Sequence, residues 1–174
     1  MIKTLFTVVA VVILAVLAYA ATRPDSFRLE RSISIKAPPE KVFPHLVDFK
    51  LWAAWSPWEK LDPAMKRTHS GAPSGKGAQY AWAGDKAGAG SMELLEATPA
   101  SKVHIKLDFT KPFEAHNFVD FTLKPQGDNT QVTWAMYGPS NYMTKLIHVF
   151  FSMDKLVGKD FEAGLADLKA VSEK

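Results

Sequence analysis

Apolar and polar residues alternate in successive segments between residues 92 and 136, and this alternation constrains the fold more than any other feature. In the segment 103–109, for example, valine, isoleucine, leucine and phenylalanine take turns with histidine, lysine and aspartate. A period of two places the apolar side chains on one face of a β-strand, whereas a helix needs a period of about 3.6. Turn residues such as those at 98–99 and 126–129 separate the segments. The pattern predicts an antiparallel meander with one dry face and one face in water.

A first strand and a short helix are predicted before the meander. Residues 27–35 alternate as a half-buried strand does, except that Arg31 falls on the apolar phase. This arginine therefore lies near an open strand end or faces a cavity. Residues 37–40 begin a helix with proline in its first turn, and Pro44 must kink or shorten that helix.

The C-terminal part of the chain predicts one long amphipathic helix. From Met143 to Val171 apolar residues recur at steps of three and four, after a break and a capping sequence at 138–141. Gly158 lies beside the apolar stripe and Gly164 on it, although glycine in a helix costs about 1 kcal/mol relative to alanine. The two glycines indicate a close approach to the sheet or space beneath the helix.

An uncharged apolar run extends from Thr4 to Thr22, with a charged residue on either side. As a helix rising about 1.5 Å per residue it would reach roughly 28 Å, close to the thickness of a bilayer core. We predict an uncleaved membrane anchor at 1–22, and the alternative is a signal peptide cleaved near Ala20, because residues 18–20 fit that processing. We expect the soluble part to be extracytoplasmic. Because arginines follow the run and positive charge favours the cytoplasmic side, a cytoplasmic location of the soluble part is an alternative. Cleavage near Ala20 would give a secreted protein.

Composition excludes several classes of function. Hydrophobic residues make up 47% of the chain, which suffices for a packed core, and a formal net charge of only +3 argues against a nucleic-acid partner. The chain has no cysteine, so it has no disulfide, thiolate nucleophile or cysteine-ligated metal. Its five histidines form no pair at the spacing of a metal site. We predict no metal, no cofactor and no catalytic constellation.

Two segments are rich in aromatic residues or glycine. The segment 52–58 contains three tryptophans, which we interpret as a cap over one end of the core, with the lip of a ligand cavity or a membrane-interface belt as the alternative. The segment 71–90 is glycine-rich around Tyr80 and Trp82 and lacks the lysine pattern of a phosphate loop. It therefore predicts hairpins, and not a nucleotide cradle.

Several short motifs carry a family resemblance over nearly all of residues 27–170. They are Ile35-x-Ala37-Pro38-x-Glu40-x-Val42-Phe43, Trp52-x-x-Trp55-Ser56-Pro57-Trp58, Gly71-x-x-x-Gly75-x-Gly77, Tyr80-x-Trp82-x-Gly84, Val132-Thr133-Trp134 and Gly164-Leu165-x-x-Leu168-Lys169. With the order of strand, short helices, meander and long helix, they resemble the helix-grip fold of the START-like, or SRPBCC, superfamily. The sequence is similar to its polyketide cyclase/dehydrase-like branch with an N-terminal hydrophobic segment.

The resemblance implies an α+β chain with an N-terminal segment at 1–22 and a helix-grip domain at 23–174. In such a domain a curved antiparallel sheet wraps around the C-terminal helix, and a cavity lies between the two. The resemblance supplies no catalytic residue.

Candidate cavity residues follow from the apolar phases of the strands and the last helix. Arg31 is a permanent cation that is suited to hold the carboxylate or phosphate of an amphipathic ligand, or to pair with a carboxylate of the protein. The other candidates are aromatic residues and methionines, a composition typical of adaptable pockets, although a packed core would use much the same residues. They are Trp55, Trp58, Tyr80, Trp82, Met92, Phe109, Phe121, Trp134, Met136, Phe150, Met153 and Phe161.

From these features we predict a membrane-associated domain that binds a hydrophobic small molecule, lipid-like or polyketide-like, between the sheet and the C-terminal helix. A cyclase or dehydrase is the first alternative, and it requires a histidine or carboxylate that faces the cavity. An interaction module without a cavity is the second. The sequence leaves the ligand and the oligomeric state open.

Overall fold

The computed structural model describes residues 2–174. The strands are β1 (Ser26–Ile35), β2 (Lys66–Gly71), β3 (Ala78–Ala83), β4 (Ala89–Thr98), β5 (Lys102–Lys111), β6 (Ala115–Gln126) and β7 (Asn129–Pro139). Within the described range these seven strands form one sheet in the spatial order β1-β7-β6-β5-β4-β3-β2, and every neighbouring pair is antiparallel. The predicted meander is therefore confirmed, with β1 added beside β7.

The helices are α1 (Ile2–Ala21), α2 (Pro39–Val42), α3 (Pro44–Val47), a 3₁₀ helix (Phe49–Ala54), α4 (Pro57–Leu61), α5 (Tyr142–Phe150) and α6 (Met153–Ser172). The predicted break at Pro44 separates α2 from α3, because proline has no N–H to donate within a helix. Helix α6 packs against the inner face of the sheet, where Phe161 stacks on Trp134 with ring centroids 4.2 Å apart. The fold is the predicted α+β helix-grip arrangement.

Burial alternates along the inner strands as the period of two predicts. Val103, Ile105 and Leu107 of β5 are buried, and the residues between them are partly exposed. Strand β2 was not predicted from the sequence. Its side chains are polar and mostly exposed, because this edge strand covers little of the core and so needs no apolar alternation.

The prediction of one continuous C-terminal helix is wrong, because the chain breaks at Phe151 and Ser152. The backbone of both residues is extended, and the Ser152 hydroxyl accepts a hydrogen bond from the Lys155 N–H, which caps the start of α6. Helix α5 packs against α1 instead of the sheet, and the Tyr142 hydroxyl donates to the Leu17 carbonyl at 2.9 Å. The apolar period of three and four is kept across the break, so the pattern alone concealed it.

The two glycines of α6 mark close contacts, as predicted. A Cβ atom on Gly164 would lie 2.8 Å from Trp134 Cζ3 and 3.0 Å from Pro57 Cδ. A Cβ atom on Gly158 would lie 2.7 Å from Arg31 Nη2. Gly164 therefore lets α6 approach the floor of the sheet, and Gly158 leaves room for an arginine of β1.

Helix α1 is the one helix within residues 2–174 that has the length and composition to cross a membrane. Nearly all of its side chains are exposed, in contrast to those of a core helix. Its main contact with the rest of the chain is the one with α5.

Candidate ligand-binding cavity

A cavity of about 190 Å³ lies between the inner face of the sheet, the tryptophan segment (residues 52–58) and α6. The residues that line it come from elements between the 3₁₀ helix and α6 and are mostly apolar. They are Trp52, Ser56, Trp58, Glu59, Met65, Tyr80, Trp82, Ala87, Met92, Leu107, Phe109, Val119, Trp134, Met136, Val157 and Phe161.

Most of the residues predicted to line a cavity are brought together here. The structure places eight of them on its wall: Trp58, Tyr80, Trp82, Met92, Phe109, Trp134, Met136 and Phe161. Six of them converge because residues of one phase on neighbouring antiparallel strands face the same side of the sheet, and Trp58 and Phe161 are added from helices α4 and α6.

Two predicted lining residues, Trp55 and Phe121, lie in the packed core instead. Both are fully buried, and their rings meet edge to face with centroids 6.0 Å apart. The Trp55 indole N–H donates to the His45 carbonyl at 3.0 Å, which holds the ring behind the wall. The tryptophan segment is thus the core cap of our first interpretation, and Trp52 and Trp58 also form part of the cavity wall, as the alternative of a ligand-cavity lip requires. Because Trp52 and Trp55 are buried, they do not form a membrane-interface belt.

Phe150 and Met153 lie away from the cavity because the last helix is broken between them. Phe150 is the last residue of α5 and is 63% exposed. Met153 begins α6 and borders a polar surface groove beside β1. A continuous helix would have carried both residues along the stripe that faces the sheet.

Arg31 also lies away from the cavity, in the same polar groove. Its guanidinium donates to the carboxylates of Asp154 and Glu162 on α6, the latter at 2.8 Å. These hydrogen bonds raise the pKa of Arg31, so it stays a cation that joins β1 to α6. Pairing with carboxylates of the protein, one of the two roles considered for this arginine, is the role that the structure shows.

Sequence reasoning missed half of the lining residues, and the most informative of them is Glu59. Its side chain is only 8% exposed although it belongs to α4, a helix of five residues. An acidic residue in so short a helix gives no periodic signal of burial, so nothing in the sequence distinguished it. Its neighbour Ser56 was quoted only as part of the tryptophan motif.

Glu59 holds a buried hydrogen-bonded cluster with Arg67 and Tyr80. One carboxylate oxygen accepts from Arg67 Nε at 2.6 Å, and the other accepts from the Tyr80 hydroxyl. Burial and the nearby carboxylate raise the pKa of Tyr80, so its phenol stays protonated. The hydrogen bond to Glu59 raises the pKa of Arg67. The cluster is therefore a carboxylate held by one permanent cation and one phenol.

Aromatic packing shapes the rest of the wall. Trp134 stacks on Phe161 and meets Trp58 edge to face, with centroids 4.2 and 5.6 Å apart. Such pairs contribute about 0.5–1.5 kcal/mol beyond their burial, so this side of the cavity is well ordered. Trp134 is only 2% exposed, and its indole N–H has no hydrogen-bond partner within residues 2–174. It is a donor that a bound oxygen atom would satisfy.

The histidines that the sequence placed on polar strand phases pair with carboxylates on the outer face of the sheet. His104 lies 2.6 Å from Asp120, and His116 lies 2.8 Å from Asp108. The residues that the structure describes contain no group of three or more His, Asp and Glu side chains placed to hold a metal ion.

The sheet wrapped around α6 and the apolar cavity between them define a helix-grip domain. The chain belongs to the family described as polyketide cyclase / dehydrase and lipid transport, whose model matches residues 26–173. This confirms the resemblance found in the sequence motifs. A comparison with the curated proteins found no match.

Solved structures share the fold at low sequence identity. A Thermobifida fusca protein is 20% identical, with a TM-score of 0.63 over 83% of this chain and 92% of its own. A Chromobacterium violaceum protein is 18% identical, with a TM-score of 0.59 over 87% and 99%. The Aha1 dimer from Colwellia psychrerythraea is 18% identical, with a TM-score of 0.59 over 84% and 96%. These similarities extend over almost all of the relatives' chains.

Proposed function

We propose that this protein is a membrane-tethered binder of a small hydrophobic molecule, with its tether at residues 1–22 and its binding domain at 23–174. The observation that carries the proposal is a cavity of about 190 Å³ walled by aromatic rings and methionines. Apolar cavities of about 150 Å³ stay dry and take up benzene. A ligand that enters such a cavity gains about 25 cal/mol for each Å² of its own apolar surface that is removed from water.

The volume limits the size of the ligand. Pockets for drug-sized molecules have about 300–1,000 Å³, so this cavity suits one ring or two fused rings. Trp82, Phe109 and Val157 line the cavity but are only partly buried, which puts its opening between the β3–β4 hairpin, β5 and the start of α6. A lipid-like ligand would have to be short, or leave its tail outside this opening.

Binding is a better proposal than catalysis because of how Glu59 is held. A cyclase or dehydrase needs an acid or base that reaches the bound molecule, and Glu59 is the carboxylate that borders the cavity in the described range. Both of its oxygens already accept hydrogen bonds, from Arg67 and Tyr80. Such an arrangement fixes a carboxylate in place and is suited to recognition more than to proton transfer.

The packing of α1 on α5 supports an uncleaved anchor. Ala20 is fully buried, and Tyr142 donates to the carbonyl of Leu17. Cleavage near Ala20 would remove this partner and expose the covered side of α5. Met143, Phe150 and Phe151 are already 56–63% exposed on and after α5, next to the apolar surface of α1. We infer that α5 lies in the interface of the bilayer that α1 crosses.

Two measurements test the membrane part of the proposal. The intact mass of the protein extracted from its membrane should include residues up to Ala20, and a mass that begins after Ala20 would contradict the anchor. We keep the extracytoplasmic side as the proposed location, since the small residues at 18 and 20 are typical of segments inserted by the export route. A C-terminal alkaline phosphatase fusion should then be active. An inactive phosphatase fusion, together with an active fusion to a reporter that works only in the cytoplasm, would indicate the opposite orientation.

Naphthalene binding tests the ligand-binding part. The full chain in phosphatidylcholine nanodiscs should bind naphthalene in isothermal titration calorimetry, after subtraction of the heat measured with protein-free nanodiscs. Val157→Phe would put a ring at the opening and should weaken binding at least tenfold. Val171→Phe is the matched control, because Val171 lies on α6 away from the cavity. Equal affinity in wild type and Val157→Phe, or no binding to wild type, would refute the proposal.

A further inference from the structure

One end of the cavity is polar, and its chemistry indicates which group the ligand carries. We propose that Glu59 selects an apolar ligand with a neutral hydroxyl group and rejects carboxylate and phosphate ligands. The inference rests on the proposed binding function and goes beyond it, because cavity size and apolar walls alone would accept a fatty acid as readily as an alcohol of the same shape.

Arg67, the cation of this end, is saturated by the protein and cannot reach a ligand. Its Nε donates to the Glu59 carboxylate at 2.6 Å. Its Nη1 donates to the carbonyls of Pro63 and Met65 at 3.1 and 2.8 Å. Its Nη2 donates to the carbonyls of Glu59 and Asp62 at 3.3 and 3.4 Å. These five contacts use all five N–H groups of a guanidinium.

The groups of the Glu59 cluster that border the cavity therefore offer acceptors. The single O–H of Tyr80 is donated to Glu59, which leaves the phenol oxygen as an acceptor. A carboxylate has about four acceptor sites, and in Glu59 two of them are occupied by Arg67 and Tyr80. Glu59 can thus accept one more hydrogen bond, and a ligand hydroxyl can donate it.

The local charge disfavours an anionic ligand. Besides Glu59, the buried carboxylate of Asp62 lies at this end and accepts from the backbone N–H groups of Lys86 and Ala87 at 3.0 and 3.4 Å. These hydrogen bonds lower the pKa of Asp62, so it is ionised at neutral pH. Two cations balance these two carboxylates, the guanidinium of Arg67 and the ammonium of Lys86, whose charge also lowers the pKa of Asp62. Of these four charged side chains only Glu59 lines the cavity, so a ligand carboxylate would meet its negative charge in a partly desolvated site, with no guanidinium N–H left to accept from.

Two further polar groups on the wall favour an oxygen that both donates and accepts. Ser56 is buried and can serve either role, and the Trp134 N–H lacks a partner within residues 2–174. A hydroxyl can donate to Glu59 and accept from Ser56, which lies three residues before Glu59 at the start of α4. A carboxylate could accept from the same donors but would repel Glu59, and an ammonium could only donate. The hydroxyl is the group that satisfies Glu59 and Ser56 together.

A matched set of ring compounds tests this selection. In nanodiscs at pH 7, wild type should bind neutral 2-naphthol at least tenfold more tightly than 2-naphthoate, which is ionised at that pH. Glu59→Gln should bind 2-naphthoate at least tenfold more tightly than wild type does, and the ratio of its affinities for 2-naphthol and 2-naphthoate should fall at least tenfold. Glu30→Gln removes a surface carboxylate that pairs with Arg28, and it should behave as wild type.

The outcomes separate the two proposals. If naphthalene binds but 2-naphthoate binds as tightly as 2-naphthol, the selection by Glu59 is refuted and the cavity remains a binding site. If naphthoate stays excluded equally from Glu59→Gln, its rejection comes from the apolar wall and the inference fails. If naphthalene does not bind, the proposed function itself fails. Tyr80→Phe provides a second test if Glu59→Gln does not fold. Because this variant keeps the Glu59 carboxylate, it should still bind 2-naphthol more tightly than 2-naphthoate, and loss of this preference would also refute the inference.

Discussion

Gly158 and Gly164 lie in the same helix, yet replacing each by alanine should change stability in opposite directions. Alanine is better than glycine in a helix by about 1 kcal/mol, and this gain is common to both sites. At Gly164 the new methyl group meets Trp134 Cζ3 at 2.8 Å and Pro57 Cδ at 3.0 Å, both parts of rigid rings. At Gly158 it meets Arg31 Nη2 at 2.7 Å and Asp154 Oδ1 at 3.3 Å, the ends of two side chains that border an open groove.

Overpacking against rigid groups costs about 1–3 kcal/mol, so Gly164→Ala should lose about 1 kcal/mol after the helix gain is included. Gly158→Ala should gain up to about 1 kcal/mol, because Arg31 can shift and keep its carboxylate partners. For a chain of this size 1 kcal/mol moves Tm by about 2–4 °C. The two variants should therefore differ by about 4–8 °C in thermal unfolding followed by tryptophan fluorescence in nanodiscs.

Gly164→Ala should also weaken naphthalene binding, because Trp134 borders the cavity and can yield only by moving into it. Gly158→Ala should leave that binding unchanged. Equal shifts of Tm in the two variants would refute the reasoning, since they would mean that helix propensity alone decides at both sites. A stabilised Gly164→Ala with full binding would show that Trp134 is not held as the contacts indicate.

Three further predictions concern the membrane face, pH and the buried ion pair. Because the chain has no cysteine, Phe150→Cys and Ala163→Cys can each carry a single environment-sensitive fluorophore. In nanodiscs the label at 150 should resist quenching by iodide, and the label at 163 should be quenched. Equal quenching of the two labels would contradict an interfacial α5. The hydrogen bond that the His116 ring donates to the Asp108 carboxylate raises the pKa of His116, so the stabilising effect of this pair is complete below about pH 6.5 and is lost as pH rises through the raised value. The Tm difference between wild type and His116→Gln should accordingly shrink from pH 5.5 to pH 9, and a constant difference would rule this out. Arg67→Gln leaves the Glu59 carboxylate buried without its cation, which should cost about 3–5 kcal/mol. Adding Glu59→Gln to that variant should restore part of the loss in urea unfolding, and no restoration would mean that the two side chains are not coupled.

Local patterns predicted the fold class because they depend on neighbouring residues alone. The period of two along 103–109 specifies a strand with one buried face wherever that strand is placed. The proline at 44 ends a helix in any context, and a glycine at 164 indicates a close neighbour without saying which. Six of the eight predicted residues that line the cavity follow from the same reasoning, since strand phase decides which side chains face the inside.

The tertiary structure decided what depends on partners distant in sequence. Phe151 and Ser152 interrupt an apolar period that continues on both sides, and only the packing of α5 on α1 shows that two helices with different partners follow one another. Arg31 lies on an apolar phase of its strand, but it pairs with Asp154 and Glu162, which are more than a hundred residues away in sequence. It therefore lies in a surface groove and not in the cavity.

Glu59 shows the limit most clearly. In the sequence it is an acidic residue that follows the tryptophan segment and precedes a lysine, and only the strands that bring Arg67 and Tyr80 to it allow a carboxylate to be buried. Desolvation of a charge is too costly without such partners, and partners on other elements leave no periodic trace. The sequence by itself therefore determined that the domain has an apolar interior, whereas the tertiary structure decided which polar group faces it.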